Sequence, residues 1–261
     1  MIPAIFLHIQ KTAGTTIVNL ARKHYGNDNV LTHGDYLCGF SESPDPHTFF
    51  SKENIRARFK EKLFISGHFG FSFCSAFMGE RYSFTFLRKP AERIVSFYYF
   101  CLTRSPEESP IYKIAQGCSL EEFLKMGFER SDVRLRIWNN QMWQLAHGYC
   151  SCEGRGQETF SPKDIEELAY KNIRKFSFVG TVDNFRHDRD RILSDLGMQL
   201  LKVDVRDNVT PGRPAIKDLP LSTRQLLEKL TALEQPLYDE IASKRNTTIK
   251  KYFAKFSSFV R

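Results

Sequence analysis

No apolar run in this chain of 261 residues approaches the ~20 residues that a membrane-spanning helix requires. The first apolar stretch, Pro3-Ala4-Ile5-Phe6-Leu7, is too short and wrongly flanked for a secretory signal, so a soluble chain is expected. Cysteine is also scarce. Six residues, Cys38, Cys74, Cys101, Cys118, Cys150 and Cys152, are too few for a disulfide scaffold and contain no C-x-x-C pair. Cys150-Ser151-Cys152 is the one close pair, and without a second half-site it reads as two ordinary thiols beside a loop rather than a metal clip. No metal site is expected. Internal repeats, low-complexity tracts and a basic tail are missing as well, which excludes solenoids and disordered arms. The net charge of +8 and pI near 9.2 are instead spread along the chain. Charge of that kind suits an anionic ligand or polymer, and a nucleotide, an anionic glycan and a nucleic acid all satisfy it.

What is present is a regular alternation. Apolar runs at residues 5–7, 63–65, 82–87 and 176–179 read as short buried strands, each leading into or following a helical pattern. Residues 15–25 carry apolar positions at helical spacing and stop at Gly26, a suitable left-handed cap. Ser119-Leu120-Glu121-Glu122 is a capping box whose helix Gly127 can close, and residues 131–147 read as one longer amphipathic helix. Ser161-Pro162-Lys163-Asp164 opens another, and residues 183–196 form a further helix ended by Gly197. Residues 38–54 and 148–160 read as surface loops. Strands alternating with helices predict an α/β fold with a central, mainly parallel sheet flanked by helices on both faces, built as one domain over 1–261.

Two segments carry chemistry. The first, His8-Ile9-Gln10-Lys11-Thr12-Ala13-Gly14-Thr15-Thr16, follows the first strand and opens the first helix. The Walker pattern fails, because the two places that require Gly hold Gln10 and Ile5. Small residues follow the lysine instead, so backbone N–H groups from Thr12 to Thr16 are placed to wrap a phosphate-like group at the helix start, with Lys11 reaching it. The second segment is Leu87-Arg88-Lys89-Pro90 and the helix that carries Ser96. An Arg at the C-terminal end of a strand points into the crevice where open α/β sheets bind ligands, and its guanidinium suits a phosphate monoester. The competing readings are a salt bridge from Arg88 to Glu92 and a Ser96 hydroxyl bonded to its own helix.

Together these segments resemble sulfotransferases that use 3′-phosphoadenylyl sulfate (PAPS). Lys11 to Thr16 is similar to their 5′-phosphosulfate loop, and Leu87-Arg88-Lys89-Pro90 through Ser96 to their 3′-phosphate motif. The run from Glu92 to Phe100 is particularly similar to heparan sulfate and uronyl 2-O-sulfotransferases. Further echoes are Gly67-His68-Phe69, Val179-Gly180-Thr181 and the loop from Asn208 to Pro214. Two positions depart from the pattern: Lys89 stands where relatives carry Asp, and Ser66 where the 2-O enzymes have an additional His.

The resemblance implies a P-loop-like three-layer fold and in-line sulfuryl transfer from PAPS to an acceptor hydroxyl, a carbohydrate above all, leaving adenosine 3′,5′-bisphosphate (PAP). It implies that Lys11, Thr12, Ala13, Gly14, Thr15 and Thr16 hold the 5′-phosphosulfate, that Arg88 and Ser96 hold the 3′-phosphate, and that Thr210 and Arg213 contact the nucleotide from a late loop. His68 becomes the general base and Lys11 the stabiliser of developing charge, with no metal. By its residues alone, a His between glycines reads as a turn or core residue. The amides and indoles of Trp138, Asn139, Asn140, Gln141 and Trp143 read either as a sugar-binding face or as core. The compartment follows the family: cytoplasmic for a bacterial chain, or a trimmed luminal Golgi-type domain. Two other classes stay open, a P-loop-like small-molecule kinase and a non-catalytic binder of anionic glycans. Neither a nucleic acid nor a membrane is an expected partner, and oligomeric state is not legible.

Overall fold

The apolar runs become the strands of one parallel sheet in the computed structural model, which describes residues 1–32, 59–148, 157–200 and 212–243. The strands are β1 (Ala4–Leu7), β2 (Val30–Leu31), β3 (Phe64–Gly67), β4 (Tyr82–Leu87) and β5 (Phe178–Thr181), in the spatial order β2-β3-β1-β4-β5. Every pairing is parallel, and Leu7 lies opposite both Gly67 and Thr85. β1 is therefore the centre, with β3 on one side and β4 on the other. Chain direction across the sheet reverses beside it, which opens a crevice at the C-terminal strand ends.

The helices are α1 (Gly14–Tyr25), α2 (Phe71–Met78), α3 (Pro90–Leu102), α4 (Pro110–Gln116), α5 (Leu120–Glu129), α6 (Ser131–Ile137), α7 (Asn140–Ala146), α8 (Pro162–Ile173), α9 (Phe185–Asp195) and α10 (Leu221–Leu230). Alternate strand residues face opposite sides of the sheet. Ala4, Phe6, Phe64, Phe84 and Phe86 pack with Ile17, Leu20 and Ala21 of α1 and Ile192 and Leu193 of α9. Ile5, Leu7 and Ile65 face the other way, toward α2, α7 and α8. A third cluster joins α3, α5, α6 and α10 beyond the sheet. Each large apolar side chain so buried contributes roughly 1.5–3 kcal/mol. The three-layer α/β arrangement expected from the sequence is the one observed. Among the described residues no helix is long and apolar enough to cross a membrane.

Three local expectations need correction. Gly127 does not close α5 but lies within it, where a Cβ would come 2.6 Å from Ile137 Cδ1, so it is small because α6 presses on it. The last strand runs over Phe178–Thr181 rather than 176–179, in register with Phe84–Leu87. The single helix expected over 131–147 is two, broken at Trp138 and Asn139. Asn139 is left-handed at φ 42°, and its Oδ1 accepts from the N–H groups of Leu233 and Glu234 at 2.9 and 3.2 Å. Its own N–H donates to the Leu230 carbonyl at 2.8 Å. Helical periodicity is local and carries no trace of this docking onto the end of α10, which overrides it. The expected surface loop at 38–54 lies outside the described residues, as do residues 149–156 of the one expected at 148–160, in which Gln157–Thr159 form a 3-10 turn.

Asn139→Ala should lower stability by about 2–4 kcal/mol, through the orphaned Leu233 N–H and a left-handed alanine, while the Glu234 N–H keeps its second acceptor, the Thr231 carbonyl at 3.1 Å. Urea unfolding checks this, and Asn139→Asp, which keeps the acceptor, should lose much less.

Candidate active site

The loop from β1 to α1 is strained and tightly tied. Lys11 and Ala13 both hold left-handed backbone, at φ 69° and 65°, although neither is glycine. Such residues cost on the order of 1–2 kcal/mol each and persist where surrounding contacts over-determine them. One such contact is the Thr12 hydroxyl, which donates to the Ile9 carbonyl at 2.7 Å. Another is His8, whose ring lies over the start of α1: a Cβ on Gly14 would come 2.0 Å from its Nε2. α1 begins at Gly14 with Ala13 as its cap, which makes no side-chain hydrogen bond to the first turn, and that turn has no acidic residue. Its first N–H groups are left for an anion. Thr15 is exposed and Thr16 is buried beside it.

Positive charge converges on this loop. Burial first, and then repulsion from Arg88, pushes the Lys11 ammonium down to about 8. Arg213 repels it too, and burial followed by Arg213 pushes the Arg88 guanidinium down to about 10. The sheet thus brings together Lys11 from the β1 loop, Arg88 from the end of β4 and Arg213 from a late segment. Glu92 is the carboxylate that partly balances them, 3.6 Å from Arg88 Nη2. Arg88 Nη1 donates to the Lys11 carbonyl at 3.2 Å, and its buried Nε has no hydrogen-bond partner among the described residues. The sequence posed a choice between a salt bridge and a ligand site at Arg88. The Glu92 contact exists, but it leaves donors unspent.

Helix α3 completes this side. Its Ser96 is buried within the helix. One turn further on, the Phe100 ring lies 4.0 Å from Lys11 Nζ and gives the ammonium a cation–π seat. Lys89, at the cap of α3, pairs with Asp183 at 2.9 Å and links the ends of β4 and β5.

On the other side of β1, His68 follows β3. Its Nδ1 lies 2.7 Å from the His8 carbonyl, and the two rings are 4.4 Å apart. A carbonyl only accepts, so Nδ1 carries the proton, and in a neutral imidazole of that tautomer Nε2 is the nitrogen that accepts. Ser66, where an additional His would stand, is a buried β3 residue opposite Phe6.

Of the residues expected from the sequence, Lys11, Thr12, Ala13, Gly14, Thr15, Thr16, Arg88, Ser96, Arg213 and His68 are described; Arg88 and Arg213 repel Lys11, and Arg213 repels Arg88. Thr210 lies outside the described residues, as do Cys38, Cys150 and Cys152. Thr12 is corrected in one respect: its hydroxyl is committed to the loop, which leaves its N–H as the group available to a ligand. Of the two readings of residues 138–143, a sugar-binding face or core, the structure shows core. Trp143 and all three amides are buried, and the amides bond inside the protein. The sequence reading missed Phe100, although its place four residues after Ser96 on one helix face was a usable signal. Among the described residues no cluster of three His, Cys, Asp or Glu side chains is assembled.

A central parallel strand that feeds a helix through a strained, cation-lined loop is a geometry suited to an anion, set in a three-layer α/β fold. The sulfotransferase family profile matches residues 3–258, and the chain belongs to that family. Sulfuryl transfer is the general activity that membership carries. The crystal structure of a sulfotransferase from Alicyclobacillus acidocaldarius is similar over 89% of this chain and 92% of that one, at 13% identity and a TM-score of 0.39. A likeness of that size says nothing about the site. No curated protein matches the chain.

The depressed Lys11 has a measurable sign. Between about 8 and the ordinary 10.5 the unfolded chain binds more protons at this group than the folded one, so its contribution to stability rises with pH across that window. The stability of the wild type relative to Lys11→Met should therefore climb by on the order of 1–3 kcal/mol between pH 7 and 10.5. Urea unfolding of both proteins at each pH tests this, and a pH-independent difference would contradict it.

Proposed function

We propose that this sulfotransferase takes PAPS as donor and transfers its sulfuryl group to a hydroxyl, with a carbohydrate as the acceptor class. The observation that carries the donor reading is the second anion-binding position. Arg88 and Arg213 add guanidinium charge beyond Lys11 and the α1 N-terminus, and Arg88 keeps an unsatisfied buried donor. A nucleotide with phosphate at both the 3′ and 5′ positions uses both places, whereas ATP needs only the first. The residues fit such a donor: N–H groups of Thr12 to Thr16 and the Lys11 ammonium for the 5′ end, Arg88, Ser96 and Arg213 for the 3′ end.

The donor supplies an activated sulfuryl group on its 5′-phosphate. Everything else falls to the chain. His68 Nε2 takes the acceptor's proton, since the His8 carbonyl holds the other ring nitrogen in its protonated form. Lys11, close to its titration point yet protonated at pH 7, balances charge that develops on the phosphate side. The strained loop and the Arg88 contact fix these groups before the ligand arrives, so little reorganisation is needed. The acceptor class rests on the resemblance of the 92–100 segment to carbohydrate 2-O-sulfotransferases.

Transfer of labelled sulfate from PAPS, measured across uronic-acid, glucosamine, lipid and phenolic acceptors, tests both halves of the reading. Label should appear on a sugar. His68→Ala and Lys11→Ala should each lower turnover by about a hundredfold or more. Near-normal turnover in a folded His68→Ala enzyme removes the base assignment. Thermal stabilisation by PAP but not by ATP with Mg²⁺ separates this reading from a kinase, and Arg88→Ala should abolish most of that stabilisation.

A further inference from the structure

Arg88 sits just past the last paired residue of β4. Leu87 is the final position in register with β5, opposite Thr181. The backbone of Arg88 is therefore beyond the sheet ladder, yet its position decides where the guanidinium goes. Its N–H donates to Gln141 Oε1 at 2.9 Å, and Gln141 Nε2 donates to the Arg88 carbonyl at 2.9 Å. One side-chain amide thus takes both main-chain groups, in the manner of a neighbouring strand. Gln141 is itself held, because its backbone N–H donates to Glu234 Oε2 at 2.8 Å. Glu234 is buried, and its own N–H donates to the Asn139 side chain at 3.2 Å.

We propose that Gln141 is the positioning residue of the 3′-phosphate subsite: it clamps the Arg88 backbone and so aims the guanidinium, while touching neither nucleotide nor acceptor. The inference rests on the PAPS reading above. Glu234 and Asn139 fix α7 at the clamp's far end, and the Arg88 contact to the Lys11 carbonyl carries the constraint into the loop. A planar amide that both donates and accepts is what this geometry requires, and a side chain of other chemistry leaves at least one Arg88 main-chain group unpaired.

The test is the preference for a 3′-phosphate, taken as the ratio of the dissociation constants for adenosine 5′-monophosphate and PAP by calorimetry on the full chain. Loss of an aimed guanidinium should weaken PAP and spare the monophosphate, whereas a general loosening of the fold weakens both. In Gln141→Met, which keeps the volume, the ratio should fall about tenfold. Gln141→Glu retains the acceptor for the Arg88 N–H and turns a carboxylate oxygen toward the Arg88 carbonyl. The ratio should fall there as well, because the Arg88 carbonyl loses its donor, and this variant decides the matter if the Met variant does not fold. An unchanged ratio in a folded variant, with or without equal weakening of both ligands, overturns the clamp. A wild-type protein that does not prefer PAP overturns the donor reading itself, and that outcome is visible before any variant is made.

Discussion

The hydrogen bond from the Arg88 guanidinium to the Lys11 carbonyl is the contact on which the site depends. It joins the end of β4 to the loop after β1, and so sets two cationic side chains from distant sequence beside each other. Their proximity is unfavourable without a ligand. Burial depresses both groups, Arg88 and Arg213 lower Lys11 further, Arg213 lowers Arg88, and Glu92 offsets only part of the charge. The sheet order makes the arrangement tolerable, because β1 and β4 are neighbours whose backbones fix the separation through ladder bonds. Polar groups fixed in advance in a partly desolvated crevice bind an anion without the cost of gathering them at that moment.

Other charges near the crevice are already committed. Lys89 holds Asp183, and that carboxylate also takes the Tyr238 hydroxyl, so the lysine serves as a strap between strand ends. Arg104 pairs with Glu108 and sits beside Phe100, the ring that seats Lys11. Net charge alone said only that an anion was involved. The structure distinguishes cations spent on ion pairs from those whose balance is incomplete, and Lys11, Arg88 and Arg213 form the second group.

What the sequence made legible was local. The strand, loop and helix start at 4–16 and the strand end at 82–90 are contiguous, and their chemistry depends on residues within one or two turns. Helix starts were equally readable: the capping box at Ser119 and the N-cap at Ser161 form as their spacing implies, whereas the expected stop at Gly127 does not. The failures involve partners far apart in the chain. A Gln among tryptophans and asparagines on a helical pattern resembles a sugar-binding face, and nothing near position 141 reveals that its partner is the backbone of residue 88. The break at Asn139 has the same cause, since its acceptors' partners lie beyond residue 230. Phe100 belongs between these cases, for its helix face was readable but Lys11 above it was not.

The two halves of the site meet at a single residue. His8 is the first position after β1, its carbonyl bonds His68 Nδ1, and its ring rests on Gly14 and stacks on Phe6 at 5.1 Å. The distance between the proposed base and the helix that receives the anion is thus carried by main chain and by one confined ring, not by flexible side chains. The confinement explains why position 14 must be glycine although its backbone is helical: the constraint is the imidazole above it, not a left-handed φ. Holding His68 through a backbone carbonyl also fixes its tautomer without a buried carboxylate, which would draw on the positive charge that the loop needs for its ligand. Proton acceptance and anion binding can therefore sit on either side of one strand, each set by the same residue, without competing for the same charge.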